Sequence, residues 1–259
     1  SEGAKLMGIG DLTITTEAGV GQFEVTMTHG PALHIADNVI LLKELIKGTA
    51  RNHGMAATFM AKPFSDESGN GLHTHFSVIN QAGENIFCSQ DKLQSAVAGC
   101  LEAFEASTLF FAPYVNSFER FVAGAHAPTS ATWGYENRTV AMRIPSGPKA
   151  ATRIEHRVAG GDANPYLLFA AIFGAALEGI ERNSVPPAPI EGNAYEHPAQ
   201  LPGLLPDLSA AIEGLEAPLL EQFMPPLILE NLAATKSQER DLFDKLSDHD
   251  ALMALIDNA

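Results

Sequence analysis

The stretch Gly69 to Val78 constrains this chain more than any other, because a glycine-rich turn runs directly into a segment with polar side chains at every second position. A period of two marks a strand, so His73, His75 and Ser77 face one way while Leu72, Thr74, Phe76 and Val78 face the other. Two more segments follow the same rule. Arg153 to Val158 brings Arg153, Glu155 and Arg157 to one side, and Gln22 to Met27 does the same for Gln22, Glu24 and Thr26. Imidazoles, carboxylates and guanidiniums facing a common space are what a metal–polyphosphate site requires. The pattern is that of an enzyme.

A chain of 259 residues with 46% hydrophobic content can bury a sizeable core as one large domain. Its net charge of −15 argues against nucleic acid or an anionic membrane as partner. Against that background, Arg120, Arg138, Arg143, Arg153 and Arg157 all fall within the 38 residues 120–157. A basic pocket on an acidic protein suggests a small anionic substrate. Cys88 and Cys100 are the two cysteines and have no disulfide or CxxC spacing, which points to a reduced, cytoplasmic setting.

Along the chain, the pattern predicts a strand–turn–strand unit over 1–31 and an amphipathic helix over 32–52, stopped near Gly54. A strand over 57–60, the His73 strand and a helix over 91–111 follow. The next expected elements are a strand over 139–144 and a helix from Asn164-Pro165 to about Arg182, with Asn as N-cap. A Pro-rich connector, 183–205, leads to a helical tail, 206–259. The expected class is α+β: a curved antiparallel sheet with flanking helices and a helical C-terminal tail.

Taken singly, the candidate motifs have ordinary readings. Glu17 and Glu24 can be two surface acids, which Gly19-Val20-Gly21 between them can bring together by a turn or bulge. With His73 and Glu155 they make a donor set suited to Mg²⁺ or Mn²⁺. Gly69 and Gly71 would let backbone amides approach an anion. Arg120 and Arg138 follow polar loop residues and suit bidentate recognition of carboxylate or phosphate.

Together, and in order, these segments resemble the catalytic domain of the glutamine synthetase superfamily. The resemblance rests on Glu17…Gly21-Gln22-Phe23-Glu24, Lys62-Pro63, Gly69-x-Gly71-x-His73-x-His75, Asn116-Ser117-Phe118-x-Arg120, Asn137-Arg138-Thr139, Arg143-Ile144-Pro145, Arg153-Ile154-Glu155-x-Arg157 and Asp162-x-Asn164-Pro165-Tyr166. It implies ATP-dependent joining of the γ-carboxylate of glutamate to ammonia or an amine. Glu17 and Glu24 would ligate one metal ion, and His73 and Glu155 another. His75 and Ser77 would lie against ATP, with Arg138, Arg143 and Arg153 neutralising its phosphates. Gly69, Arg120 and Arg157 would position glutamate, and Arg138, Arg120 and His126 would act in the chemistry.

Three departures qualify this. His126 stands where the family carries a glutamate that closes over the site and helps bind ammonium. Replacing a carboxylate by a neutral imidazole removes an attraction of roughly 4 kcal/mol at about 4 Å for an effective dielectric near 20. Ser68 replaces the usual asparagine. The spellings Ser68-Gly69-Asn70-Gly71, Arg153 to Gly160 and Gly192-Asn193-Ala194-Tyr195 look more like the γ-glutamylpolyamine (putrescine) synthetase branch, so an organic amine is the expected acceptor. The third departure is that nothing here matches the family's N-terminal domain or the early strands that supply further carboxylates. The chain is therefore expected to be the C-terminal catalytic part, 1–259, of a longer protein that forms a homo-oligomeric ring, and to be inactive as a separate piece. A true glutamine synthetase using ammonia and a non-catalytic structural relative are the competing readings; phosphagen kinase chemistry ranks last.

Overall fold

The computed structural model describes residues 2–121, 127–196 and 201–258. A short helix, α1 (Glu2–Leu6), precedes a hairpin of β1 (Leu12–Thr16) and β2 (Phe23–Met27). Gly21 turns the hairpin at φ +69°, in the left-handed region that glycine enters without steric cost. Helix α2 (Ala32–Asn52) covers the span its apolar stripe predicts, and Gly54 at φ +70° ends it, its amide donating to the Arg51 carbonyl. Leu42 of this helix packs with Ala4 and Ile9 in a small core beneath the hairpin.

The His73 segment contributes β3 (Thr74–Phe76) to a four-stranded sheet. Helices α3 (Gln90–Glu102) and α4 (Thr108–Phe111) then appear where one long helix is expected. The chain leaves α3 through turns over 103–107, and the Thr108 amide and hydroxyl, both donating to the Glu105 carbonyl, close the last of them before α4. Strands β4 (Trp133–Tyr135), β5 (Met142–Ile144) and β6 (Ile154–His156) complete the sheet in the order β3-β6-β5-β4. The expected antiparallel pairing holds for β3–β6 and β5–β6, but β4 and β5 run parallel. The chain manages this in six residues by reversing at Glu136, whose φ is +50°, and at a turn in which Asn137 Oδ1 accepts from the Thr139 amide. Residues 57–60 form no ladder; the side chain of Asn70 holds the Phe59 and Met60 carbonyls instead.

Helix α5 (Pro165–Arg182) starts as the sequence predicts, with Asn164 Oδ1 accepting from the Tyr166 and Leu167 amides. It packs against α3 through glycines: a Cβ on Gly99 would lie 2.0 Å from the Ala175 carbonyl, and one on Gly179 would lie 2.2 Å from that of Ser95. This close approach, together with Leu93, Phe104, Trp133, Met142 and Ile172, forms the main core between helices and sheet. The Pro-rich segment after α5 runs along β4, where Trp133 Nε1 donates to the Pro187 carbonyl at 2.7 Å.

In the tail, α6 (Leu208–Glu213) and α7 (Pro226–Phe243) pack on the main core through Leu208, Ile212 and Leu229. The last helix, α8 (Asp248–Asn258), sets Leu255 against Met60. Among the described residues no helix is long and apolar enough to cross a membrane.

Candidate active site

A cleft of about 2560 Å³ lies between the hairpin, α2 and the open face of the four-stranded sheet. The alternation read from the sequence places side chains as expected: Thr74 and Phe76 are buried, while His73, His75 and Ser77 are exposed toward the cleft. Glu17 and Glu24 lie on one face of the hairpin. Thr15 is opposite Glu24 in the β1–β2 register and Glu17 is two residues beyond Thr15, so the two acids are diagonal neighbours, about 7 Å apart in a generic ladder. Both line the cleft. The hairpin is tied to the glycine loop by Gln22 Nε2, which donates to the Gly69 carbonyl at 3.2 Å.

Glu155 sits at the centre of the opposite wall and is 2% exposed. Arg143 Nη1 donates to its Oε2 at 2.8 Å, Arg157 Nη1 donates to Oε1, and His73 Nδ1 lies 3.4 Å from Oε1. His75 Nε2 is 3.9 Å from the same oxygen, and its Nδ1 accepts from Arg153 Nε at 3.2 Å. Burial pushes the Glu155 carboxyl up, but Arg157, the two imidazoles and Arg143 outweigh it and hold the group below its ordinary range. Burial, then the Arg157 guanidinium, lowers His73 to about 4, against the pull of Glu155. His75 is lowered chiefly by burial too. Both imidazoles are therefore neutral at pH 7; the lone pair of His75 Nδ1 is taken by Arg153, so His73 is the imidazole left with one for a proton or a cation.

Arg120 has a different setting. It is 3% exposed, and its Nε and Nη1 donate to the carbonyls of Asn70 at 2.6 Å and Val158 at 3.0 Å. Gly69 is needed for this contact, because a Cβ there would meet Arg120 Cγ at 2.8 Å and the Ala61 carbonyl at 2.9 Å. The glycine thus serves close packing around Arg120, a constraint on its Cα that is separate from the anion approach suggested for its amide. The residues before Arg120 build the same scaffold. Asn116 clamps the Lys62 backbone with two hydrogen bonds of 2.8 Å, and the Ser117 hydroxyl donates to Asp162 Oδ2 at 2.6 Å. Burial raises the Asp162 carboxyl above its ordinary range despite Ser117 and Arg120. Asn70 closes the network by accepting from the Gly161 amide at 2.9 Å.

Every sequence-predicted site residue within the described part lines this one cleft, from Gly69 and Ser77 to Arg138 on its rim. His126 lies outside the described residues. Five arginines and Lys43 face four glutamates across the lining, so an acidic protein presents a locally basic cavity. Sequence reasoning missed Asp162, Asn70 and Glu136 as supports of the site: Asn70 lines the cleft, while Asp162 and Glu136 back Arg120 and Arg143 from outside its lining. The first two stand inside the motifs already singled out, and their polar character beside glycines was the available signal.

The donor set can be tested for a divalent cation. Carboxylates with a neutral imidazole are the hard oxygen and borderline nitrogen donors that Mg²⁺ or Mn²⁺ accept. Among the described residues no three of His, Cys, Asp and Glu converge as a closed cage.

A family model described as glutamine synthetase, catalytic domain, matches residues 2–252. The gamma-glutamylputrescine synthetase PuuA of Escherichia coli (strain K12) is 37% identical over 249 residues, covering 94% of this chain and 52% of that protein. The glutamine synthetase of Pyrococcus abyssi is 41% identical over 184 residues, covering 70% of this chain and 42% of that protein. Among solved structures, apo GmaS without ligand superimposes with a TM-score of 0.83 at 32% identity, covering 95% of this chain and 59% of that one. The chain spans about half the length of the curated relatives it matches.

Proposed function

The chain belongs to the glutamine synthetase family through its catalytic domain, and from that premise we propose that the protein joins the γ-carboxylate of glutamate to an organic amine at the expense of ATP. The observation that carries this reading is the wall around Glu155, where one carboxylate, two neutral imidazoles and three arginines share a single open cavity. A carboxylate is a poor electrophile, and phosphorylation makes it a good one. The γ-carboxylate oxygen of glutamate attacks the γ-phosphorus of ATP, the bond to the bridging oxygen breaks, and ADP leaves. The amine nitrogen then attacks the acyl carbon, loses a proton, and expels phosphate to leave an amide.

In this reading the protein's part is positioning and charge neutralisation. Arg138, Arg143 and Arg153 take the nucleotide phosphates, with His75 and Ser77 beside them. Arg157 and the Gly69 loop hold glutamate. Arg120 acts on that loop through the Asn70 carbonyl. Glu17 and Glu24 would hold one divalent cation and His73 with Glu155 another, Mg²⁺ or Mn²⁺ by donor type. Such a cation supplies Lewis acidity at the transferring phosphoryl group. His126 would set the acceptor by removing a carboxylate from the ammonium pocket. A cytoplasmic setting and a homo-oligomeric ring belong to the same proposal.

Phosphate release and γ-glutamyl product formation by the whole protein, with ATP, Mg²⁺ and glutamate, test it. Ammonium, putrescine, spermidine and ethanolamine are the acceptors to compare. Turnover with an organic amine, and a shift toward ammonium in His126→Glu, are expected. Efficient turnover with ammonium alone identifies a glutamine synthetase, and no turnover with any acceptor favours a non-catalytic relative.

A further inference from the structure

Glu136 is the one glutamate among the described residues with a left-handed backbone, at φ +50°. A non-glycine residue rarely holds that conformation unless its surroundings fix it. Here both ends of the residue are fixed to the strand that carries Arg143. Its amide donates to the Ile144 carbonyl at 3.0 Å, and its Oε1 accepts from the Ser146 amide. The carboxylate is thereby held over Arg143, whose Nη2 lies 3.5 Å from Oε1 and 3.4 Å from Oε2. The Ser146 amide keeps the Glu136 carboxyl below its ordinary range, and Arg143 adds to that effect.

Arg143 consequently bridges two carboxylates of unlike character. Glu155 is almost wholly buried, with 3% side-chain exposure, whereas the Glu136 side chain is 51% exposed and lines a neighbouring hollow with Arg138. Arg143 Nε is buried and has no hydrogen-bond partner among the described residues, so the two carboxylates do not satisfy the guanidinium completely. An arginine paired with Glu155 alone would occupy the oxygen that a cation needs. An arginine with a second, fixed carboxylate can turn away from Glu155 without losing its counter-charge.

Resting on the proposed function, we propose that Glu136 is a positioning residue: it anchors Arg143 at the cleft rim, so that Glu155 Oε2 is released to a divalent cation while Arg143 is offered to the nucleotide phosphates. The alternative is a purely structural clip between β4 and β5. Glu136→Gln separates the two, since glutamine keeps an oxygen for the Ser146 amide and loses the charge that holds Arg143.

The test measures Mn²⁺ binding by electron paramagnetic resonance and ADP binding by calorimetry on the whole protein, as wild type, Glu136→Gln and Glu136→Asp. The role predicts an unchanged melting temperature in Glu136→Gln with both affinities weakened about threefold to fivefold, the scale of a half-exposed ion pair. Glu136→Asp should recover part of that loss, and the KM for ATP should rise more than kcat falls. Glu136→Gln with unaltered Mn²⁺ and ADP binding overturns the role of Glu136 while leaving the proposed function in place. A wild-type protein that binds neither Mn²⁺ nor ADP overturns both.

Discussion

Arg120 and Arg143 both serve the same cleft, and both lie close to a buried carboxylate, yet they use their donors differently. Arg120 gives Nε and Nη1 to the carbonyls of Asn70 and Val158, and Gly69 is shaped around its side chain. Arg143 gives its donors to Glu155 and Glu136, two side chains that line or border the cavity. Bonds to backbone carbonyls cannot be exchanged without moving the chain, so the Arg120 wall is scaffold. Ion pairs between side chains can be exchanged for phosphate oxygens or a cation, so the Arg143 wall, unlike the Arg120 wall, could rearrange around such a group without moving the chain. Residue type alone does not separate the two roles. What each guanidinium bonds to does.

The contrast predicts opposite consequences for stability and activity. Arg120→Ala should be the most damaging change, costing about 3 kcal/mol or more, since it strips two buried carbonyls of their donor and Asp162 of its nearest charge. Urea denaturation reads that loss directly. Gly69→Ala tests the same wall more gently: the added Cβ would have to displace Arg120 Cγ or the Ala61 carbonyl, at a cost of about 1–3 kcal/mol. Arg143→Ala should lower stability by less than Arg120→Ala, about 1–2 kcal/mol, because Arg157 still pairs with Glu155, while turnover falls by about a hundredfold or more. An Arg143 variant as unstable as the Arg120 variant would erase the distinction.

A smaller effect comes from behind the Glu155 wall. His156 is 1% exposed, its ring centroid 4.8 Å from that of Phe111, and burial pushes it down to about 3. The unfolded chain takes up this proton near its ordinary value of 6.5 and the folded protein does not, so the fold loses stability as pH falls from about 6.5 toward 3. Melting temperatures at pH 7 and pH 5 should fall more for the wild type than for His156→Phe. Equal falls would show that another group sets the slope.

Much of this was legible in the sequence. The α5 start at Asn164-Pro165 and the α2 span follow from capping and periodicity, which are local signals. The alternation at His73, His75 and Ser77 likewise identified the cleft-facing side chains. The parallel β4–β5 pair was not legible, because it depends on a left-handed glutamate that no local propensity favours. The structural use of Arg120, Asn116 and Asn70 was hidden for another reason. Their partners are backbone amides and carbonyls up to 91 residues away in the chain, and a backbone group carries no sequence signature.

The most direct test of the central claim is isotope exchange in ATP labelled at the oxygen bridging the β- and γ-phosphorus atoms. With glutamate and Mg²⁺ but no amine, formation of γ-glutamyl phosphate frees the β-phosphate to rotate before the reaction reverses, which scrambles the label. Scrambling that requires glutamate, and that is lost in Arg143→Ala, is the predicted result. Amide formation by the wild type without any glutamate-dependent scrambling would contradict it.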